Sequence, residues 1–109
     1  MYSKIRIVKD NIFISGQLPV DENGEVVSGG IKEQTRQVME NIKKIASDNG
    51  LTMDDFCKFT LFVRNIKDLP IVNEVYVEYF GDIKPARSAV EVSGLVKDVL
   101  IEIDAFGIK

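Results

Sequence analysis

The stretch DIKPARSAVEVSG, residues 82–94, decides the fold, because it places a charged residue at the start of a strand-like run. From Ala86 to Val92, successive side chains alternate in character with the period of a half-buried β-strand. A second run, DVLIEIDAF at 98–106, alternates in the same way around Glu102. Charged side chains inside such runs are costly unless they are paired or used. Two strands, at 86–93 and 98–107, are therefore predicted at the end of the chain.

The alternation sorts the side chains of these two strands onto two faces, because successive residues of a strand point to opposite sides. The face that is predicted to pack into the core carries branched apolar residues: Val90, Val92, Ile101 and Ile103. The opposite face carries the charged residues: Arg87, Glu91, Glu102 and Asp104. We therefore expect Arg87 and Glu102 to lie together on the sheet face that points away from the helices.

Three more strands are predicted earlier in the chain. Residues 3–8 and 11–15 alternate like strands, and Lys9–Asp10 between them suits a tight turn. Residues 56–65 alternate again in the middle of the chain. Their pattern places Cys57 on the apolar face, where a buried core thiol is expected.

The period changes to that of a helix in two segments. Apolar residues recur every three or four positions in 31–49, and Gly50 stands where a left-handed residue commonly ends a helix. The apolar face of this helix comprises Ile31, Val38, Met39, Ile42, Ile45 and Ala46. A second helix is predicted to begin at Leu69–Pro70 and to end at Gly81. Its apolar stripe, which includes Tyr76, is expected to pack into the core.

The predicted order of elements is therefore β-β-α-β-α-β-β. This order favours an α+β fold of two layers, in which a mixed β-sheet carries both helices on one face. The chain of 109 residues is expected to form a single domain, residues 1–109. The other sheet face has no cover within the chain, so we expect it to pack against identical subunits.

Composition argues against several classes of function. The formal net charge of −3 and the isoelectric point of about 4.9 argue against a nucleic-acid-binding face, which needs clustered Lys and Arg. The chain has no histidine, which excludes Ser–His–Asp and Cys–His catalysis and the usual zinc sites. No nucleotide-phosphate motif is present. Chemistry must therefore use carboxylates, Arg, Lys, Tyr, Ser, backbone groups and water.

The sequence also indicates a cellular location. No segment reaches the length of a membrane span, and the N-terminal residues lack the apolar region of a signal peptide. The single cysteine gives no intrachain disulfide, which fits a reducing compartment. We therefore expect a cytoplasmic protein that does not bind a membrane.

Two interpretations of Arg87 and Glu102 are open from the residues alone. The pair can be a cross-strand ion pair or a polar rim on an exposed sheet face. Alternatively, Arg87 offers a planar fork for a carboxylate or phosphate, and a partly desolvated Glu102 can position or deprotonate a water molecule. The second interpretation suits a small anionic substrate that undergoes addition of water.

Four motifs resemble the Rid family, the reactive-intermediate (imine) deaminases that are also called YjgF-like proteins. They are ISGQLPV (14–20), FVRNIKDLPIVNEVY (62–76), KPARSAVEV (84–92) and VLIEIDAF (99–106). The likeness extends from Tyr2 to Phe106. The family was earlier labelled as translation inhibitors or L-PSP endoribonucleases. The resemblance implies the fold of the chorismate mutase of bacilli, in a homotrimer with three clefts between subunits.

The resemblance also implies a reaction and its residues. The reaction is hydrolytic deamination of 2-imino or 2-enamino acids, such as 2-aminoacrylate, to 2-keto acids and ammonia, without a cofactor or a metal. Arg87 would bind the substrate carboxylate, and Glu102 would hold or activate the attacking water. Gly16, Asn73 and Tyr2 would line the substrate site, with some of these residues on one subunit and some on the next.

Other activities remain open beside deamination. The main alternative is a non-catalytic protein that binds or senses 2-keto acids in the same cleft. Cleavage of RNA or inhibition of translation is disfavoured by the acidic charge and the absence of histidine. Chorismate mutase activity is disfavoured because a dianionic substrate needs more cationic residues than Arg87, and fold alone does not imply function.

Overall fold

The computed structural model describes residues 1–109 and contains one five-stranded β-sheet and two α-helices. The strands are β1 (Ile5–Val8), β2 (Asn11–Gln17), β3 (Phe56–Val63), β4 (Ala86–Glu91) and β5 (Ile101–Ile108). The helices are α1 (Ile31–Asp48) and α2 (Leu69–Tyr76). The predicted order of elements and the α+β class are confirmed. Neither helix combines the length and the apolar composition of a membrane span.

The sheet is mixed, as predicted. Its strands lie in the order β1-β2-β5-β3-β4. All neighbouring strands are antiparallel except β3 and β4, which run parallel. A parallel pair needs a crossover connection, and α2 lies in the connection between these two strands. β4 is consequently an edge strand.

Helix α1 packs on the sheet through the face predicted from the sequence. All six residues of that face are buried: Ile31, Val38, Met39, Ile42, Ile45 and Ala46. At the start of the helix, the Glu33 carboxylate accepts a hydrogen bond from the Gly30 N–H at 2.8 Å and so satisfies a backbone donor. Gly50 follows the helix with a φ of 70°, a left-handed conformation that glycine adopts without strain.

The core lies between the sheet and the helices, and an aromatic cluster joins α2 to it. The Tyr76 ring lies 5.8 Å from the Phe59 ring and 4.9 Å from the Phe80 ring, measured between centroids. Phe59 on β3 is fully buried. These edge-on and tilted ring contacts fix α2 against the sheet beside its β3–β4 edge.

The sheet face opposite the helices has no cover within the chain. Phe13 of β2 and Phe106 of β5 pack there with ring centroids 5.2 Å apart, and Phe13 is 47% exposed. Val8 on β1 and Val90 on β4 are also exposed on this face. Val8 and Phe13 are on neighbouring strands, whereas Val90 is on the opposite edge of the sheet.

The face assignment predicted for β4 is wrong. Arg87 is in register with the fully buried Phe59, so Arg87 lies on the side of the sheet that faces the helices. Val90, predicted for the core, is in register with Phe62 and is 43% exposed on the open face. β4 is a short edge strand that carries both polar and apolar residues on each face. Its own pattern therefore does not reveal which face the helices cover.

Cys57 is exposed, not buried as predicted. The register of β3 against β5 shifts between Phe56 and Lys58, and this β-bulge turns Cys57 out of the alternation. Gly107 of β5 lies opposite, where an added Cβ would stand 3.0 Å from the carbonyl carbon of Asp55. The two strands therefore approach too closely at the bulge for a side chain at position 107.

Candidate functional site

The Arg87 guanidinium is held at the sheet edge by two residues of α2. Its Nη1 donates a hydrogen bond to Asn73 Oδ1 at 2.6 Å. Its Cζ lies 5.2 Å from the centroid of the Tyr76 ring, within the range of a cation–π interaction. Its Nε and Nη2 have no acceptor within the chain. Part of the fork is therefore free to bind a carboxylate.

Helix periodicity and strand register together produce this arrangement. Asn73 and Tyr76 are three residues apart in α2, so their side chains share one face of the helix. The parallel register places Arg87 beside Phe59, against which Tyr76 packs edge-on. Asn73 was predicted as a substrate-binding residue, and the structure brings its side chain to Arg87.

Tyr76 is the residue of this group that sequence reasoning placed only in the core. It is 7% exposed, and its hydroxyl has no hydrogen-bond partner in the chain. Burial raises the pKa of Tyr76 to about 12, and the nearby charge of Arg87 opposes that shift. Tyr76 is thus a neutral phenol that contacts the guanidinium through its ring. The three-residue spacing from Asn73 was the sequence signal that could have identified it.

Glu102 lies on β5, on the open face of the sheet. It is in register with Phe62 of β3, and its side chain is half-buried. The pKa of Glu102 is raised, first because burial disfavours the charged carboxylate and second because the Asp104 carboxylate is nearby. A carboxylate with a raised pKa is a stronger base toward water.

Gly16 lies directly against Glu102. The register of β2 against β5 shifts between Ile14 and Gln17, so β2 is irregular at this point. A Cβ added to Gly16 would overlap Glu102 Oε2 and would stand 2.9 Å from Glu102 Cδ. Only glycine therefore allows the β2 backbone to approach the carboxylate this closely. The structure brings these two predicted residues together within one chain.

A polar stripe extends from Glu102 across the open face. Lys58 Nζ donates a hydrogen bond to Ser88 Oγ at 2.7 Å, which joins β3 to β4. Burial raises the pKa of Asp104, whereas the nearby Thr60 hydroxyl and the charge of Lys58 oppose the shift. Glu102 therefore has a second carboxylate, Asp104, beside it, and Thr60 and Lys58 favour the ionised form of Asp104.

Tyr2 precedes β1, and its side chain is 73% exposed. The N-terminal segment continues the pairing of β1 with β2, because the Ser15 N–H donates to the Lys4 carbonyl at 3.0 Å and the Ser15 hydroxyl donates to the Ser3 carbonyl at 2.7 Å. This pairing directs Tyr2 along β2 toward the end that holds Gly16. No hydrogen bond or ring contact joins Tyr2 to another predicted site residue.

The predicted site residues form two groups on opposite faces of the sheet. Arg87 and Asn73 lie on the helix-facing side at the β4 edge, and Glu102 and Gly16 lie on the open face at the β2–β5 pair. β3 separates β4 from β5, so the two groups are also two strand spacings apart, roughly 10 Å. The expectation that Arg87 and Glu102 share one face is wrong within a single chain. Within one chain, the two residues therefore do not line a common cleft.

Neither group lies in the cavity at the start of β3 or near a set of metal ligands. That cavity, of about 510 Å³, is bounded by the start of β3 and by residues 80–85, and it contains neither Arg87 nor Glu102. No three side chains of the Cys, Asp and Glu types are gathered in a way that could hold a metal ion. The two groups thus offer an anion-binding fork and a carboxylate base.

Comparison with known proteins gives a family and named relatives. A family model described as endoribonuclease L-PSP matches residues 1–109. A RutC family protein of Pyrococcus abyssi is 51% identical over 109 residues, which are 99% of this chain and 86% of the relative. The 3-aminoacrylate deaminase RutC of Acinetobacter baylyi is 50% identical over 97 residues, covering 86% of this chain and 76% of the relative. The human 2-iminobutanoate/2-iminopropanoate deaminase is 38% identical over 109 residues, covering 99% and 80%.

The fold also matches solved structures of such relatives. The crystal structure of RidA from the Antarctic bacterium Psychrobacter sp. aligns with a TM-score of 0.94 and 37% identity, covering 99% of this chain and 88% of that one. The mixed sheet with two helices on one face is therefore the architecture of these relatives. The chain belongs to the endoribonuclease L-PSP family, which is the Rid or YjgF-like family that its four motifs resemble.

Proposed function

We propose that this protein hydrolyses 2-imino and 2-enamino acids to 2-keto acids and ammonia. The observation that carries the proposal is the combination of a guanidinium with a free fork, at Arg87, and a half-buried carboxylate with a raised pKa, at Glu102. Relatives named as deaminases of 3-aminoacrylate and of 2-iminobutanoate support the same class of reaction. Residues 1–109 act in this proposal as one domain in the reducing cytoplasm.

The substrate carboxylate binds first, on the free part of the Arg87 fork. Charge-assisted, bidentate hydrogen bonds of this kind fix the orientation of a carboxylate as well as its position. The imine carbon next to that carboxylate is then held at a constant distance from the guanidinium. Orientation of bound reactants can supply up to about 7–11 kcal/mol of the barrier reduction in ideal cases.

Glu102 then acts on water. Its carboxylate accepts a proton from a water molecule as the water oxygen forms a bond to the imine carbon, and the C=N bond becomes a C–N single bond. The substrate reacts as the iminium ion, C=NH2+, so this addition gives a neutral carbinolamine. The protonated Glu102 then returns its proton to the nitrogen, the C–N bond breaks with its electron pair on the nitrogen, and the carbinolamine hydroxyl gives its proton to the Glu102 carboxylate, which releases it to solvent. Ammonia leaves and the C=O bond of the 2-keto acid forms, so one water is consumed for each imine and no external oxidant or reductant is needed.

The assembly in this proposal is a homotrimer. Because Arg87 and Glu102 lie on opposite faces of one sheet, the site forms between copies, with Arg87 and Asn73 from one and Glu102 and Gly16 from the next. The exposed apolar face around Phe13 supports an interface of this kind, since such surfaces mark interaction sites. Tyr2 would close the cleft from the second copy. Light scattering coupled to size-exclusion chromatography tests the trimer.

Enzymatically generated 2-aminoacrylate tests the activity when ammonia and pyruvate are followed with and without the purified protein. Arg87→Ala should lower kcat/KM by at least about 30-fold. In the proposed cleft the neighbouring copy would bury the hydrogen bond between Arg87 and the substrate, and truncating one partner of such a charged bond costs on the order of 2–5 kcal/mol. Arg36→Ala is the matched control, because Arg36 pairs with Glu78 at 2.9 Å and contacts no residue of either group. Hydrolysis by Arg87→Ala at the parental rate would disprove the proposal.

The main alternative is a protein that binds 2-keto acids without catalysis. Arg87 and Asn73 alone are sufficient for such binding, because a carboxylate needs only the fork. The same assay separates the two functions: a binder shows a dissociation constant for pyruvate but does not accelerate release of ammonia. Ribonuclease activity is a further alternative, and it would require RNA cleavage that persists after nuclease removal and is lost in Arg87→Ala.

A further inference from the structure

We infer that Tyr76 is a positioning residue: its ring and the Asn73 amide together hold the Arg87 guanidinium so that the Nε–Nη2 edge meets the ligand carboxylate. This inference rests on the proposed function for its ligand class, a 2-keto or 2-imino acid. It assigns Asn73 the role of orienting Arg87 where the sequence suggested direct contact with the substrate.

The contacts around Arg87 leave one edge of its fork unoccupied. Nη1 is used by Asn73 Oδ1 at 2.6 Å, and Tyr76 covers the guanidinium with its centroid 5.2 Å from Cζ. Nε and Nη2 have no acceptor in the chain. A hydrogen bond at one end and a ring against the planar group restrict both the tilt and the rotation of the fork, so less conformational freedom is lost when a carboxylate binds.

The ring of Tyr76, and not its hydroxyl, supplies this restraint. The ring itself is fixed by Phe59 and Phe80, with centroids 5.8 Å and 4.9 Å away. The hydroxyl has no partner in the chain. A phenylalanine at position 76 therefore keeps the restraint, whereas an aliphatic side chain loses it.

The chain contains a matched control for this pair. Tyr79 lies three residues further along and also contacts an arginine, with the Arg36 Cζ 5.7 Å from its ring centroid. Arg36 also forms an ion pair with Glu78 at 2.9 Å. Tyr79→Leu removes a comparable ring–guanidinium contact that has no connection with Arg87.

The test is the affinity for pyruvate, measured by chemical-shift titration of the full chain, together with KM and kcat for 2-aminoacrylate. Tyr76→Leu should raise both the dissociation constant and KM by about fivefold, and Asn73→Ala by about three- to tenfold, with kcat within about threefold of the parent. Tyr76→Phe and Tyr79→Leu should retain the parental affinity. In an Arg87→Ala background, Tyr76→Leu should change the weakened affinity by less than about twofold, because the restraint has nothing left to act on.

Several outcomes would overturn the inference. A folded Tyr76→Leu variant with the parental affinity for pyruvate would do so, as would a Tyr76→Phe variant that loses as much affinity as Tyr76→Leu. An additive loss of affinity in the Arg87→Ala background, or a parent that does not bind pyruvate, would also overturn it. If Tyr76→Leu does not fold, Asn73→Ala decides, since Asn73 is exposed and its replacement leaves the core intact. A parent that binds pyruvate in this pattern but never hydrolyses the imine would refute the proposed function and leave the inference standing.

Discussion

Gly16 and Glu102 are in such close contact that any side chain at position 16 would occupy the space of the carboxylate. An added Cβ would overlap Oε2 and would stand 2.9 Å from Cδ and 3.2 Å from Cγ of Glu102. Gly16 does not have a left-handed backbone conformation. The requirement for glycine is therefore one of space beside a functional group and not of backbone strain.

Gly16→Ala should reduce activity far more than it reduces stability. The methyl group displaces the end of a flexible side chain, so the free energy of unfolding should change by less than about 1 kcal/mol. The displaced carboxylate no longer holds water at the reacting carbon, and kcat/KM for 2-aminoacrylate should fall at least about tenfold. Gly94→Ala is the control, because nothing lies within 4 Å of its added Cβ. Equal activity of the two variants would contradict the role of Glu102.

The raised pKa of Glu102 predicts the acid limb of the activity profile. Only the ionised carboxylate takes a proton from water, so kcat/KM should decline as the pH falls through this pKa. Burial is the larger cause of the shift and Asp104 the second. Asp104→Asn removes the second cause and should move the acid limb to lower pH. Glu78→Gln should not, because Glu78 pairs with Arg36 on the helix side of the sheet, whereas Glu102 lies on the open face. An acid limb that stays in place in Asp104→Asn would exclude the coupling.

The same shift has a defined sign for stability. A carboxyl group whose folded-state pKa lies above its unfolded value stabilises the fold when it is protonated, and this contribution is lost as the pH rises through the folded-state pKa. Glu102→Gln should therefore gain stability over the parent at neutral pH and lose that advantage in acid. Thermal melts of both proteins across the acid range measure the difference.

The sequence predicts those parts of the fold whose pattern lies within one continuous segment, and it fails where distant segments pair. Helix α1 was predicted correctly because its period, its buried face and Gly50 all lie within one continuous segment. The two faces of β4 were predicted wrongly, because the register of β4 with β3 is set by a crossover of some 20 residues through α2. The position of Cys57 depends on a bulge opposite Gly107, which is about 50 residues away in sequence. Such pairings between distant segments leave no local pattern.

The candidate site was likewise predicted in part: its residues were identified from the sequence, but their placement in the fold was not. Gly16, Asn73, Arg87 and Glu102 were identified through motifs, and the structure joins them in two pairs. Their separation onto two faces was not predicted, because it follows from the face assignment of the edge strand. Tyr76 was predicted only as a core residue. An aromatic residue in the apolar stripe of a helix gives the same sequence pattern whether or not a guanidinium contacts its ring.

The hydroxyl of Tyr76 yields a prediction about stability alone. It is a buried donor without a partner, and such a group weakens the fold by its loss of hydration. Tyr76→Phe should therefore leave the free energy of unfolding unchanged or raise it by about 1 kcal/mol. Tyr79→Phe should instead lower it slightly, because the Tyr79 hydroxyl donates to Glu40 at 2.6 Å. Denaturant melts compare the two, and a clear destabilisation by Tyr76→Phe would show that the hydroxyl has a partner in the assembled protein.

Mixed assemblies of two inactive variants test the division of the site between copies. Arg87→Ala and Glu102→Gln should each be nearly inactive alone, since every cleft then lacks one of the two groups. When the subunits are mixed in equal amounts by unfolding and refolding together, a cleft that takes Arg87 from the Glu102→Gln copy and Glu102 from the Arg87→Ala copy is intact. Random mixing makes about one quarter of the clefts intact, so about a quarter of the parental activity should return.

Recovery in this mixture cannot come from a site built within one chain, because neither variant contains both groups. The control is the mixture of Arg87→Ala with the double variant Arg87→Ala/Glu102→Gln, in which no cleft contains Arg87 and no activity should return. Absence of recovery in the first mixture, with co-assembly demonstrated by mass-tagged subunits, would place Arg87 and Glu102 in separate functions. It would then leave Arg87 as a carboxylate-binding group and remove Glu102 from the reaction.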